Sequence, residues 1–77
     1  MNKTTNEEIL EILINISNIP NLTTNQLLLD EGIIDSLSTI ELITILEEKF
    51  TINIGPDDLN HFNFNTISAI SNLVNSK

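Results

Sequence analysis

The segment from Asp35 to Phe50, DSLSTIELITILEEKF, has the clearest helical period in this chain of 77 residues. At about 100° per residue, one side of such a helix collects four apolar residues and a threonine. These are Thr39, Leu42, Ile43, Leu46 and Phe50. We expect this side to face the core, in a helix that begins at Ser36 and ends near Phe50.

The opposite side of this helix is not a plain solvated face. Its members are Ser36, Leu37, Ile40, Glu41, Thr44, Glu47 and Glu48. Leu37 and Ile40 place apolar side chains beside a serine where water is expected, and carboxylates cover much of the rest. Such a mixture is typical of a docking surface for a basic partner. For each single carboxylate, a solvated helix face is the alternative.

The first helix is predicted from about Glu7 to Ser17. Thr5 and Glu8 have the spacing of a capping box, which favours a helix start there. The apolar residues that recur on one face are Ile9, Leu10, Leu13 and Ile16. Pro20 then prevents the helix from continuing.

A long loop, residues 18–35, separates the first helix from the second. A connection of this length in a small domain is either functional or packed by its own side chains. We expect packing, through the apolar residues Leu27, Leu28, Leu29 and Ile33.

Two helical segments are predicted after Phe50. FTINI, residues 50–54, alternates like a strand, but no second strand is available to pair with it, so an extended loop is expected. Pro56 suits the first position of a short helix. The last helix is predicted from about Thr66 to Asn75, capped by Asn65 or Thr66. Its inward residues are Ile67, Ile70, Leu73 and Val74.

These elements predict an all-α fold in a single domain, residues 1–77. It is a small bundle of three main helices plus one short helix, with a long loop between helix 1 and helix 2. Cysteine is absent, so aliphatic side chains must supply the core without disulfides.

The charge balance restricts the possible partners. Three lysines and no arginine face eleven carboxylates, which gives a formal net charge of -8. This argues against nucleic acid and anionic lipid, and favours basic protein surfaces or divalent cations. Self-repulsion should also cost stability that salt or magnesium recovers.

Targeting signals are not visible in the sequence. The first residues lack a continuous apolar region of the signal-peptide type. No stretch approaches the roughly 20 apolar residues that span a bilayer. We therefore expect a cytoplasmic monomer without membrane insertion.

Ser36 has two interpretations. Serine is favoured at helix starts, so it could be a structural residue. However, Ser38 and Glu41 also have capping-box spacing, so Ser36 is not required as the cap. The alternative is covalent modification by a phosphate-bearing group. A phosphodiester at Ser36 would lie at the positive end of the helix dipole, near unpaired N–H groups.

The segment Asp35–Phe50 resembles the helix that carries the prosthetic group in acyl and peptidyl carrier proteins. Asp35, Ser36 and Leu37 match the attachment motif of that family. The segments EGIID (31–35), PDDL (56–59) and NFNTISAI (63–70) follow in the family's order and spacing.

The resemblance implies that Ser36 accepts 4'-phosphopantetheine from coenzyme A, through a separate phosphopantetheinyl transferase that uses magnesium. The thiol of the arm would hold an acyl or aminoacyl group supplied by a loading ligase and present it to downstream enzymes. The chain itself would not be an enzyme. His61, the single histidine, is expected to be an exposed or half-packed loop residue.

The resemblance also assigns the docking residues. The family's acidic positions, which meet basic patches on partner enzymes, correspond to Asp35, Glu41, Glu47 and Glu48. Its apolar contacts beside the arm correspond to Leu37 and Ile40. This agrees with the face obtained from helical geometry.

Two differences from the usual sequence pattern of fatty-acid-synthesis carriers limit the choice of cargo. Ile34 replaces their usual small residue before the aspartate, and NFNTI replaces their usual entry to the last helix. Both favour a discrete aminoacyl, peptidyl or specialised-pathway carrier. The alternatives are a housekeeping fatty-acid carrier or a D-alanyl carrier, although helix 2 is more acidic than expected of the latter.

Two hypotheses from other classes stay open. One is an unmodified acidic helical adaptor that binds a basic protein. The other is a metal-dependent hydrolase, which the scattered carboxylates disfavour because they lack metal-ligand spacing. We therefore expect no metal site.

Overall fold

The computed structural model describes residues 4–77 and confirms the all-α prediction: this part of the chain contains no strand. The helices are α1 (Asn6–Ser17), α2 (Ser36–Phe50), α3 (His61–Phe64) and α4 (Ile67–Asn75). A single 3-10 turn covers Pro56–Asp58. α1 packs against both α2 and α4, and α3 packs against α4.

The helix starts are set by side-chain caps. The predicted capping box of α1 is present: the Glu8 N–H donates to Thr5 Oγ1 at 3.3 Å, and the Thr5 N–H donates to Glu8 Oε1 at 3.2 Å. Thr66 caps α4 by accepting from the Ala69 N–H at 3.1 Å. Ser38 and Glu41 have capping-box spacing but do not form the cap of α2, which is Asp35.

The core contains the predicted inner residues of α2 and α4. Leu42, Leu46 and Phe50 are buried, and Ile43 packs against them while half-buried. All four predicted inward residues of α4 are buried. The prediction for α1 was incomplete: Ile12 is buried, whereas Leu10 and Ile16 are only partly buried. α1 lies between two helices, so its buried side is wider than a single stripe.

The loop of residues 18–35 is held partly by its own leucines, as expected. Leu28 is fully buried, and Leu29 and Ile33 pack against the core. Leu27 was wrongly expected to pack and is exposed. Its N–H instead donates to Glu31 Oε2 at 3.1 Å within a local turn.

The connection from α2 to α3 contains no strand, which confirms the extended segment expected there. The Ile54 side chain is buried, and its N–H donates to Glu47 Oε2 at 2.9 Å. Asp58 Oδ2 accepts from the Gly55 N–H at 3.0 Å and pairs with Lys77 Nζ at 2.6 Å. The segment is therefore tied to α2 and to residue 77.

α3 was not predicted. The short helix expected at Pro56 is the 3-10 turn, and α3 begins five residues after Pro56, at His61. Asn60 caps α3 by accepting from the Asn63 N–H at 2.9 Å. A helix of four residues is too short to show a hydrophobic period.

Candidate functional site

Ser36 is the first residue of α2 and its side chain is exposed. Within residues 4–77 its hydroxyl makes no hydrogen bond. The preceding residue does the capping: Asp35 Oδ1 accepts from the Ser38 N–H at 2.9 Å. The cap of α2 therefore leaves the Ser36 hydroxyl free for chemistry.

Electrostatics at this helix end favour an anion on the serine. The N-terminus of the 15-residue α2 carries the positive end of the helix dipole. The Ser38 backbone N–H, followed by the Ser38 side chain, lowers the pKa of Asp35 from its ordinary value of 3.8. The Asp35 carboxylate thus stays ionised and bound to the helix end at neutral pH.

A groove of about 630 Å³ opens beside Ser36. Its lining comes from the end of the long loop, the first half of α2 and the segment around α3. The lining residues are Leu29, Gly32, Ile34, Asp35, Ser36, Thr39, Ile40, Ile43, Leu59, Asn60, His61 and Phe64. Half of these residues are aliphatic or phenylalanine and most of the others are polar, so the groove suits a flexible chain with both apolar and polar groups.

Exposed apolar side chains flank the groove. Leu37 is 79% exposed and Ile40 is 62% exposed, as the helical pattern predicts. The structure adds Leu59 and Phe62, which are 51% and 82% exposed. Sequence reasoning missed these two, because residues 59–64 show no period that separates inner from outer positions.

The predicted carboxylates of α2 fall into two groups. Glu41 and Glu48 are exposed, together with Thr44. Glu47 is half-buried, and its Oε2 holds the Ile54 N–H, so it is part of the fold as well as of this face. Asp35, like Glu47, has a structural role as well, since its Oδ1 accepts the hydrogen bond that caps α2.

His61 is exposed, as expected, but it lies in α3 rather than in a loop. Its Nε2 is 3.0 Å from Asp30 Oδ1 and its side chain lines the groove. In the described part of the chain, no cluster of three or more His, Asp or Glu side chains could hold a metal ion. None of the helices of residues 4–77 is long and apolar enough to cross a membrane.

A free serine hydroxyl at a helix N-terminus, beside a groove and exposed apolar side chains, is a suitable place for the covalent attachment of a flexible arm. The family model described as a phosphopantetheine attachment site matches residues 7–74, so the chain belongs to this family. No curated protein and no solved structure matches the chain.

Family membership establishes the general role. This is a phosphopantetheine carrier protein, and the cofactor is covalently bound 4'-phosphopantetheine. Carrier domains of this family hold their cargo without catalysing its reactions, and they work with a phosphopantetheinyl transferase and with biosynthetic enzymes. The cofactor supplies a thiol on a flexible arm, and the free hydroxyl, the helix N-terminus and the groove fit such a group.

Proposed function

We propose that Ser36 is the phosphopantetheine attachment residue and that residues 1–77 form one monomeric carrier domain. The observation that carries this proposal is the exposed Ser36 hydroxyl, which has no hydrogen-bond partner within residues 4–77 because Asp35 caps α2. Leu37, the third residue of the motif, extends into solvent beside it. The serine is therefore accessible to the active site of another protein.

The attachment reaction is a phosphoryl transfer. The Ser36 oxygen bonds to the phosphorus that bears pantetheine in coenzyme A. The bond from that phosphorus to adenosine 3',5'-bisphosphate breaks, and the bisphosphate leaves with the electron pair. The hydroxyl proton passes to a base of the transferase. The product phosphodiester is an anion at the N-terminus of α2, where backbone N–H groups and the dipole stabilise it.

The docking face for partner enzymes is assigned to the outer side of α2 and to two exposed residues of the segment 59–62. Leu37, Ile40, Leu59 and Phe62 would fill apolar pockets of the partner. Glu41 and Glu48, with Glu47 and Thr44 beside them, would meet a basic rim. Buried apolar anchors inside a charged rim are the usual arrangement of a specific, transient interface.

The cargo is assigned to an aminoacyl or short acyl unit rather than a long fatty acyl chain. Ile34 supports this assignment, because its branched side chain is buried and lines the groove at the position where fatty-acid carriers have a small residue. The space beside α2 that a long chain would need is therefore smaller. The enzymes served would be a loading ligase and later enzymes of an aminoacyl, peptidyl or specialised pathway.

The attachment site is tested by intact mass spectrometry after incubation with coenzyme A, magnesium and a broad-specificity phosphopantetheinyl transferase. We expect wild type to gain one phosphopantetheine, together with a titratable thiol in a chain that has no cysteine. Ser36→Ala should gain nothing. Ser38→Ala, two residues along the same turn, is the matched control and should be modified like wild type.

No mass gain with several transferases would contradict the proposal and favour the acidic adaptor. A gain that persists in Ser36→Ala would place the attachment elsewhere.

The cargo is tested by loading the holo protein with a series of acyl groups of increasing length and with aminoacyl groups. A chain that enters the fold stabilises it, because the folded state alone binds it. We expect the melting temperature to be independent of chain length. A rise that continues with each added carbon would show that a long chain is sequestered, and would favour a fatty-acid carrier.

A further inference from the structure

Asn65 joins the start of α4 to the loop that precedes Ser36. Its Oδ1 accepts from the N–H groups of Leu29 at 3.0 Å and Asp30 at 3.2 Å. Its Nδ2 donates to Asp30 Oδ2 at 3.1 Å. Its backbone carbonyl accepts from the Leu28 N–H at 2.7 Å. One residue thus holds three consecutive residues of the loop, from 35 or more positions away in sequence.

The loop transmits this attachment to the start of α2. The Leu28 carbonyl accepts from the N–H groups of Ile33 at 2.9 Å and Ile34 at 3.1 Å, so the turn is closed on itself. Leu28 and Ile34 are both buried. Ile34 directly precedes Asp35, the cap of α2. The Asn65 carbonyl fixes Leu28, and the Asn65 side chain fixes the next two residues of the same turn, Leu29 and Asp30. Together these bonds fix the turn that leads into α2 at Ser36.

His61 supports the same turn from its outer side. Its contact with Asp30 is between side chains that are about half exposed, and such surface pairs contribute little. Asn65 is half-buried and supplies the central bonds. Leu29 of the turn and His61 both line the groove beside Ser36. The turn is thus one wall of the groove as well as the lead into α2.

We propose that Asn65 is a positioning residue for the carrier reaction, which holds the 27–34 turn so that Ser36 and the groove are presented to the transferase in one conformation. This inference rests on the proposed attachment at Ser36. Without the side chain of Asn65, the turn samples other conformations, and binding to the transferase has to select the competent one. The apparent affinity then falls, whereas the chemical step, which uses groups of the transferase, is unchanged.

The experiment measures kcat and KM for phosphopantetheinylation of the full chain, at a temperature where circular dichroism shows each variant to be folded. We expect Asn65→Ala to raise KM by at least about fivefold with kcat within about twofold, since the variant loses three side-chain hydrogen bonds and even one corresponds to a factor of about five. Amide hydrogen exchange at Leu29 and Asp30 should become faster. Thr66→Ala is the matched control: it removes the cap of α4 next to Asn65 but no bond to the loop.

Exchanging the side chains of Asn65 and Asp30 tests whether the lost function can be restored. Asn65→Asp alone puts a second carboxylate against Asp30 and removes the donor between them. The double variant Asn65→Asp, Asp30→Asn restores that bond in the opposite direction, keeps acceptors for the two N–H groups and for His61, and leaves the net charge unchanged. We expect the single variant to behave like Asn65→Ala and the double variant to recover a KM close to that of wild type.

Three results would overturn the inference. Asn65→Ala could be modified with the KM of wild type. Its KM could rise no more than that of Thr66→Ala, which would mean that only stability matters. The double variant could fail to recover. If wild type itself is not modified, the proposed function fails, and this inference fails with it. In the other three cases wild type is modified, so only this inference fails.

Discussion

α2 and α4 are both amphipathic helices, yet they use their surfaces differently. Five of the nine residues of α4 are buried and the helix carries no charged residue. Only three of the 15 residues of α2 are buried, and it leaves Leu37 and Ile40 in solvent among its carboxylates. α4 therefore stabilises the bundle, whereas much of α2 is available to other proteins. These exposed apolar side chains are what the docking face proposed for α2 requires.

The largest expected effect is on the free energy of unfolding, when an isoleucine is replaced by alanine in each of the two helices. Ile70→Ala, at a fully buried position of α4, should lower the free energy of unfolding by about 2–5 kcal/mol. Ile40→Ala, on the exposed side of α2, should change it by less than about 0.5 kcal/mol. Chemical denaturation measures both. Equal losses would mean that the outer face of α2 is part of the core after all.

A smaller effect is expected from a buried hydroxyl of α4 that lacks a hydrogen-bond partner. Ser71 is buried, and its hydroxyl has no hydrogen-bond partner within residues 4–77. Ser71→Ala removes this unpaired group and should raise the free energy of unfolding by about 1 kcal/mol. Ser68→Ala, on the exposed side of the same helix, is the control for helix propensity, which favours alanine by about 0.5 kcal/mol. It also removes a long, exposed hydrogen bond of 3.4 Å from Asn6 Nδ2 to Ser68 Oγ, so its gain should be at most that amount. If both substitutions gave the same gain, the buried hydroxyl would carry no cost.

The two helix caps should differ in their pH dependence. The pKa of Asp35 is lowered by the Ser38 N–H, so its charge stabilises the folded state above the ordinary value of 3.8. That contribution is lost as the pH falls through the lower folded-state pKa. Thr66 does not titrate. We expect the melting-temperature gap between wild type and Asp35→Asn to narrow below about pH 4, while the gap for Thr66→Ala stays constant.

Thermal unfolding from pH 7 to pH 2 measures these gaps. An Asp35→Asn gap that does not change with pH would show that the cap acts without its charge.

The smallest effect concerns salt. Added salt or magnesium should raise the melting temperature at neutral pH, because it screens repulsion in a chain of net charge -8. Replacing the exposed carboxylates of α2 with Glu41→Gln and Glu48→Gln should weaken this response. Asn72→Gln, on the exposed side of α4, should leave it unchanged. A wild type insensitive to salt would contradict the picture of crowded carboxylates.

The candidate site shows where sequence reasoning was sufficient. Ser36, Leu37 and Ile40 were identified as exposed from the helical period of one segment, because an α-helix separates its faces by local geometry alone. Glu47 was grouped with the docking carboxylates, although it also holds the Ile54 N–H. Phe62 was missed because α3 is too short to show a period. In both cases a neighbouring element decides what the side chain does.

The sequence by itself determined the three long helices, the capping box at Thr5 and the position of the attachment motif. Each of these follows from residues within a few positions of one another, through caps and a period of 3.6. Only the tertiary structure decided that Leu28 is buried while Leu27 is not, that α3 lines the groove beside Ser36, and that Asn65 holds the turn before α2. These features depend on hydrogen bonds and packing between residues far apart in the chain, which a local pattern does not encode.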